Sequence, residues 1–330
     1  MTEEDIKIRN ENHRRKIKSL TWSVCALMFF TIAASSLYVW VAGMYNDDIP
    51  YGPLMALQGA TSIITFLLSA FVGVGISEKN ICGSDATWHI TPLMTIVSIV
   101  LIIVVQPLIE WGSFFNEIIC SWPSMEWAKQ FDVDQTSTLA KMLSFDSVSH
   151  YTITILVLAV LPAICEEFFF RGVMLRGLSH AMFTKSGSII VSAIFFSMMH
   201  MELNAFIPRF MLGVVLGYLY LYTNSLLYPI IAHMVNNVVV LVVISKSNTP
   251  IEQVLSQATE NPGPLLPIIS LILTYWIFEA IFVRNKISLL IKKAENELGN
   301  KIIDKHSGDD NHDNSEEKDD IKENKTELEK

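Results

Sequence analysis

The sequence predicts an all-α, polytopic membrane protein of about eight transmembrane helices, with its active site inside the helix bundle. Three observations carry that prediction. Of 330 residues, 51% are hydrophobic and only 17% charged, with a mean hydropathy of +0.39, which excludes an ordinary soluble domain. Apolar runs long enough to cross a bilayer recur along the chain. Within those runs stand a few ionisable side chains, each costing about 2.5–3.5 kcal/mol at the bilayer centre, which makes them functional candidates by default. The formal net charge of −9 reflects acids gathered in the tail and in one long loop, and no basic surface suits nucleic acid.

Residues 1–18 are polar, and Lys7, Arg9, Arg14, Arg15, Lys16 and Lys18 precede the first apolar run. That run, Leu20 to about Tyr45, is too long for a signal-peptide core and reads as a retained helix. The basic flank places the N-terminus in the cytoplasm. Further spans are expected at about 52–77, 91–109, 150–177, 187–201, 207–222, 226–245 and 263–283. The loop around Asn46–Ile49 is then external and Glu78–Trp88 internal. Glu110–Ser149 forms a long external connection, with an interfacial helix at Ile118–Ala128. Arg176 and Lys185 fall inside, Lys246 outside, and Arg284, Lys286, Lys292 and Lys293 inside. An even number of spans puts both termini of this multi-pass cell-membrane protein in the cytoplasm. By domains, 1–18 is a cytoplasmic segment, 19–149 holds the N-terminal helices and external loop, 150–245 the core, 246–284 the last helix, and 285–330 a tail. From about Glu295 that tail is rich in Lys, Glu, Asp and Asn and is expected to be disordered, and the final Leu-Glu-Lys carries no prenylation signal. Cys25, Cys82, Cys120 and Cys165 show no metal-finger spacing.

The richest stretch is Cys165-Glu166-Glu167-Phe168-Phe169-Phe170-Arg171-Gly172. Glu167 and Arg171 stand four apart, in the orientation that favours an ion pair. Glu166 is turned about 100° away by the helical period, so it faces a different neighbour. A division of labour follows, with Glu167 held by Arg171 and Glu166 left for chemistry. The fifth span ends Phe195-Phe196-Ser197-Met198-Met199-His200, and the seventh puts His233 and Asn237 on one face. At about 1.5 Å per residue, Glu166, His200 and His233 lie at similar depths, roughly 10–20 Å from the cytoplasmic boundary. Singly, each His is a packing residue or helix–helix hydrogen-bond partner; together with Glu166 and Asn237 they form one site. Pro162, one turn before Glu166, removes a backbone donor and is expected to kink its helix. Glu279 reads as interfacial or structural, Gly213 and Gly217 as a close-packing GxxxG face, and Met198, Met199 and Met201 as packing.

Glu166-Glu167-x-x-x-Arg171, Phe196-x-x-x-His200 and His233-x-x-x-Asn237, in that order and each inside a span, resemble the three motifs of the CPBP (CAAX protease and bacteriocin-processing) intramembrane protease family, which includes the type II CAAX prenyl endopeptidases. The resemblance covers roughly Thr152–Val240, with supporting context in Phe170-Arg171-Gly172 and in Thr223-Asn224-Ser225 leading to Pro229-Ile230.

The expected activity is therefore endopeptidase action on membrane-associated or lipidated peptides. Ser197 and Cys165 are near in sequence, but neither sits obviously beside a base, so no covalent intermediate is expected. Glu166 with His200 would position and deprotonate a water. His233 and Asn237 would donate to the developing oxyanion, a role assignment that the resemblance also implies. Glu167 and Arg171 would hold the helix and orient Glu166, and Phe196 would pack beside His200. No cofactor is required on this reading; the alternative is zinc bound by Glu166, His200 and His233, since the family has been labelled metalloproteases. Other classes remain open. A bacteriocin-immunity or scaffold protein without turnover would be marked by loss of a motif residue, and none is lost. A transporter would carry an internal repeat, and none is seen. The expected partners are a membrane-associated peptide or protein substrate and the lipid bilayer, with no nucleic acid. Substrate identity, cleavage site and oligomeric state lie beyond the sequence.

Overall fold

The computed structural model describes residues 3–46, 48–77, 91–125, 138–143, 147–181, 184–246 and 263–284, with 286–287 and 290. The predicted internal loop Glu78–Trp88, residues 126–128 of the predicted interfacial helix and the charged tail from Glu295 lie outside the described residues. The chain divides into two compact units, Met1–Phe278 and Glu279–Lys330. Within the second, Glu279 is helical and half-buried.

Among the described residues all regular structure is helical. Helix α1 is Glu3–Met44, and three acids in its first turn complement the helix dipole. It absorbs the polar N-terminal segment and the first span into one rod. Helix α2 runs Tyr51–Ser62, continues as a π-helical turn Ile63–Leu68, and ends as Ser69–Ser77. Helix α3 is Pro92–Cys120, with proline in its first turn where no donor is needed. It runs past the predicted end at 109 because Pro107 is tolerated inside it. Residues 118–120 therefore finish α3 and do not open a separate interfacial helix; the short Pro123–Met125 turn follows.

Helix α4, Val148–His180, carries the first motif. Ser147 caps it by accepting from the His150 N–H at 3.2 Å. Pro162 cannot donate, and its ring crowds the carbonyl four residues back. The helix answers with a π-helical turn at Leu156–Val160, just ahead of Leu161–Glu167. A second π-helical run, Phe168–Leu175, follows the two glutamates directly. Such turns inside α-helices concentrate at functional sites.

Helix α5 is Lys185–Met198, capped by Thr184, which accepts from the Gly187 N–H at 3.1 Å. Helices α6, Phe206–Thr223, and α7, Leu227–Lys246, follow, with left-handed Asn224 (φ 50°) closing α6. Helix α8 is Leu265–Arg284. Seven of the described helices are long and apolar enough to cross a membrane; α5, predicted as a span at 187–201, has 14 residues. At 1.5 Å per residue that is about 21 Å, short of a hydrocarbon core of about 30 Å.

Packing follows the small residues. A Cβ on Gly213 would meet Ala193 Cβ at 3.0 Å, and one on Gly217 would meet Ile189 Cγ2 at 2.8 Å, so the GxxxG face lets α6 lie against α5. Helix α1 approaches α2 and α4 in the same way: Ser19 Oγ donates to the Gly73 carbonyl at 2.5 Å, and a Cβ on Gly177 would meet Leu20 at 2.9 Å. The main core joins Leu27, Phe66, Ala70, Cys165, Phe169, Phe170, Met174 and Phe196. Large apolar side chains face outward along α1, α3 and α8, among them Phe29, Trp40, Ile103, Leu271 and Trp276. A continuous apolar exterior of that kind belongs in lipid. At one end, Lys141 Nζ reaches Asp48 Oδ1 at 2.8 Å. That hydrogen bond holds the exposed Asp48 carboxyl below its ordinary range.

Candidate active site

Three helices carry the motif residues, and α6 adds a backbone carbonyl to them. Arg171 Nη1 donates to Glu167 Oε1 at 2.6 Å, the i,i+4 pair that the spacing predicts, with both side chains buried. Arg171 Nη2 donates to the Gly213 carbonyl at 2.9 Å. The close approach that Gly213 permits is thus also what delivers a backbone acceptor to a buried guanidinium. Arg171 Cζ stands 5.1 Å over the Phe196 ring, adding a cation–π contact.

Glu167 has a second partner that the sequence did not suggest. His233 Nδ1 lies 2.9 Å from Glu167 Oε1. Since that oxygen belongs to an ion-paired carboxylate, Nδ1 carries the proton and donates. Glu167 therefore orients His233, where the sequence reading had it orienting Glu166. His200 is fixed by the end of its own helix. A helix terminates with unsatisfied carbonyls in its last turn, and Phe196 O is one of them. His200 Nδ1 stands 2.9 Å from it and is the donor. Both imidazoles are held through Nδ1, so both turn Nε2 inward.

Those two Nε2 atoms converge on one oxygen. Glu166 Oε2 lies 3.9 Å from His200 Nε2 and 4.0 Å from His233 Nε2. Glu166 Oε2 is buried and receives a hydrogen bond from no protein group among the described residues. Glu166 and His233 are closed off, while the His200 side chain is 27% exposed, which marks the side from which the site opens.

Phe196, expected only to pack beside His200, is the centre of the arrangement. Its ring is 5.2 Å from the His200 ring, 5.6 Å from His233 and 5.2 Å from Phe170, all at steep tilts. With its carbonyl on His200 and its face under Arg171, one residue fixes the second motif to the first and third.

Asn237 lies one turn after His233 on α7 and is half-buried. Its Oδ1 accepts from Asn236 Nδ2 at 3.3 Å, and Asn236 Oδ1 accepts from Gln106 Nε2 on α3 at 2.9 Å. Gln106 and Asn236 were not singled out from the sequence, although a Gln in the middle of an apolar span is itself a signal. Asn116, also on α3, was missed as well. It donates to the Leu203 carbonyl at 2.8 Å and accepts from the Ile207 N–H at 2.9 Å, fixing the α5–α6 connection. Arg209 and Glu202 form an ion pair there, again unanticipated.

Residues 148–239 match the family model described as type II CAAX prenyl endopeptidase Rce1-like. No curated protein and no solved structure matches the chain. The matched segment contains Glu166, Glu167, Arg171, Phe196, His200, His233 and Asn237. Over residues 148–239 the chain is thus similar to the Rce1-like type II CAAX prenyl endopeptidase family.

Proposed function

We propose that this protein is an intramembrane endopeptidase that hydrolyses peptide bonds of membrane-associated or lipidated peptides with a water activated by Glu166. One observation carries the reading. A buried carboxylate oxygen faces two imidazole Nε2 atoms at 3.9 and 4.0 Å, too far for direct bonds yet suited to one bridging water about 2.8 Å from each.

In this mechanism Glu166 takes the proton of that water as its oxygen attacks the scissile carbonyl. The neutral His200, its Nδ1 on Phe196 O, offers an Nε2 lone pair that aligns the water. The tetrahedral oxyanion forms on the side of His233 and Asn237. Asn237 donates from Nδ2, its Oδ1 being directed by Asn236. His233 donates from Nε2 when its ring carries both protons, with Glu167 on Nδ1 keeping it aimed. Glu166 then returns the proton to the departing amine. Aimed donors and excluded water make such stabilisation worth about 2.7–4 kcal/mol per donor. Glu167 and Phe196 are positioning residues that touch the imidazoles, and Arg171 is one that touches Glu167 and Phe196 in turn.

Zinc is the family-level alternative. Tetrahedral zinc at about 2.0–2.1 Å from its ligands holds them about 3.3–3.5 Å apart. The separations of 3.9 and 4.0 Å are longer, and among the described residues no group of three His, Cys, Asp or Glu is disposed to hold a metal ion. The trio as placed does not fit zinc, which supports the metal-free reading. On that reading the protein needs no cofactor, sits in the cell membrane, and acts on substrates anchored in the same bilayer.

The test is purified protein in detergent, incubated with lipidated and other membrane-anchored peptides beside Glu166→Ala and His200→Ala. Cleavage lost in both variants, and kept after treatment with a chelator, is the expected result. Cleavage lost with chelator and restored by zinc would overturn the mechanism. No cleavage by wild type would overturn the activity itself.

A further inference from the structure

The imidazole assigned to align the water stands beyond the end of its helix. Helix α5 stops at Met198, and His200 is two residues further on. The His200 N–H reaches the Ser197 carbonyl at 3.3 Å, and the Met201 N–H reaches the Met198 carbonyl at 3.0 Å. Met201 then takes a left-handed backbone, φ 52°, which is unfavourable for any residue with a Cβ. Such a conformation persists only where its surroundings impose it, and such residues gather at functional sites. The His200 ring is aimed by Phe196 O on α5, but its backbone belongs to this turn. Where Nε2 comes to rest therefore depends on what imposes the turn.

Two holds are local to the α5–α6 connection. Ser197 Oγ donates to the Phe206 carbonyl at 2.6 Å, and Glu202 pairs with Arg209. A further hold comes from α3. Asn116, 3% exposed, donates from Nδ2 to the Leu203 carbonyl at 2.8 Å and accepts the Ile207 N–H through Oδ1 at 2.9 Å. The Ile207 N–H is one of the orphan donors in the first turn of α6, so this acceptor answers a need that the helix cannot meet itself. One buried amide thus grips the connection and the helix after it with both ends. Turned over, it would set donor against donor and acceptor against acceptor. Gly112, one turn earlier on α3, permits the approach: a Cβ there would run into Met211 Sδ and meet Ile207 Cγ2 at 3.3 Å.

We infer that Asn116 is a positioning residue for His200. By clamping Leu203 and Ile207 to α3, it keeps Met201 in its left-handed turn, and with it the backbone from which the His200 ring reaches Phe196 O. Helix α3 lies outside residues 148–239, so a helix beyond the matched segment completes the site. The catalytic meaning of the clamp rests on the proteolytic reading; the tautomer of His200, which the clamp also fixes, does not.

The experiment combines Asn116→Leu, similar in shape but unable to make either hydrogen bond, with Met201→Gly, which holds a left-handed φ without constraint. Full-length protein in detergent is read in two ways. The first is NMR of protein carrying isotope-labelled histidine, with the His200 signals identified by their loss in His200→Gln. Wild type should show His200 as a single tautomer protonated on Nδ1. Asn116→Leu should show a mixture of tautomers, and the double variant should return towards wild type. The second is cleavage of a membrane-anchored, fluorescence-quenched peptide. Asn116→Leu should lower kcat by about 10²-fold, the size for a group misplaced by about 1 Å, with KM little changed. Adding Met201→Gly should recover about tenfold of that loss, the left-handed penalty expressed as a rate. A His200 tautomer unchanged in Asn116→Leu would overturn the inference. So would a kcat loss that Met201→Gly does not relieve, since that is the signature of damaged packing. Should Asn116→Leu fail to fold, Asn116→Asp takes its place under the same criteria, keeping the acceptor for the Ile207 N–H and losing the donor to Leu203. If wild type cleaves nothing, the proteolytic reading fails, and a tautomer released by Asn116→Leu would still sustain the clamp on His200.

Discussion

On the inner wall of the site, Glu167 Oε1 is shared between Arg171 at 2.6 Å and His233 at 2.9 Å, and Arg171 gives its other terminal nitrogen to the Gly213 carbonyl. On the outer wall, one residue earlier in the chain, Glu166 Oε2 ends near two imidazoles without a bond to either. The two glutamates share a helix and a buried setting, and each leaves its Oε2 without a hydrogen bond among the described residues, yet only Glu167 is also held, through Oε1, by a guanidinium and an imidazole. In a low-dielectric interior a satisfied polar network rigidifies, whereas an unsatisfied buried group is costly unless it is used. The inner wall is therefore the scaffold, and the outer wall is where a reaction can be run.

That contrast is sharpest in substitutions. Glu166→Gln should lower cleavage by about 10³-fold, within the range for loss of a general base, while the protein stays folded. The check is cleavage of a membrane-anchored peptide alongside thermal unfolding in detergent. Next in size, Glu167→Ala leaves Arg171 buried without its counter-charge and should cost about 3–5 kcal/mol of stability. A double-mutant cycle with Arg171→Met sharpens the point. Removing both charges should recover part of that loss, and strict additivity would mean the pair is not coupled.

Gly217→Ala acts on the packing beneath both walls. Its new Cβ meets Ile189 at 2.8 Å, so α5 and α6 must separate, at about 1–3 kcal/mol of overpacking strain read as a lower unfolding temperature. The smallest effect is expected on the outer rim. Gln106→Leu removes one interhelical hydrogen bond to Asn236, worth about 0.6 kcal/mol in a membrane interior. It should leave stability nearly unchanged and lower kcat more than it raises KM, because Asn237 loses its support.

The sequence made the spans and motif residues legible because hydrocarbon tolerates so few polar groups. Glu166, Glu167, Arg171, His200 and His233 each stood out against an apolar background, and the Glu167–Arg171 pair follows from helical spacing alone. What stayed hidden depends on where helices end and how they cross. The role of Phe196 comes from a free carbonyl at the last turn of α5 and from three rings arriving from α4, α5 and α7. The hold of Glu167 on His233 spans 66 positions of sequence, so no local pattern encodes it. The π-helical turns around Pro162 and Phe168 replace the simple kink that proline suggests. The short reach of α5 could be weighed only once its first and last residues were known.

The measurement that bears most directly on the account is thermal unfolding of Glu166→Gln and Glu167→Gln side by side in the same detergent, with cleavage assayed on each. Glu166→Gln should unfold at or above the wild-type temperature and cleave nothing, while Glu167→Gln should unfold well below it. Comparable unfolding temperatures for the two variants, or cleavage retained by Glu166→Gln, would contradict the division between an ion-paired scaffold and an open reactive wall.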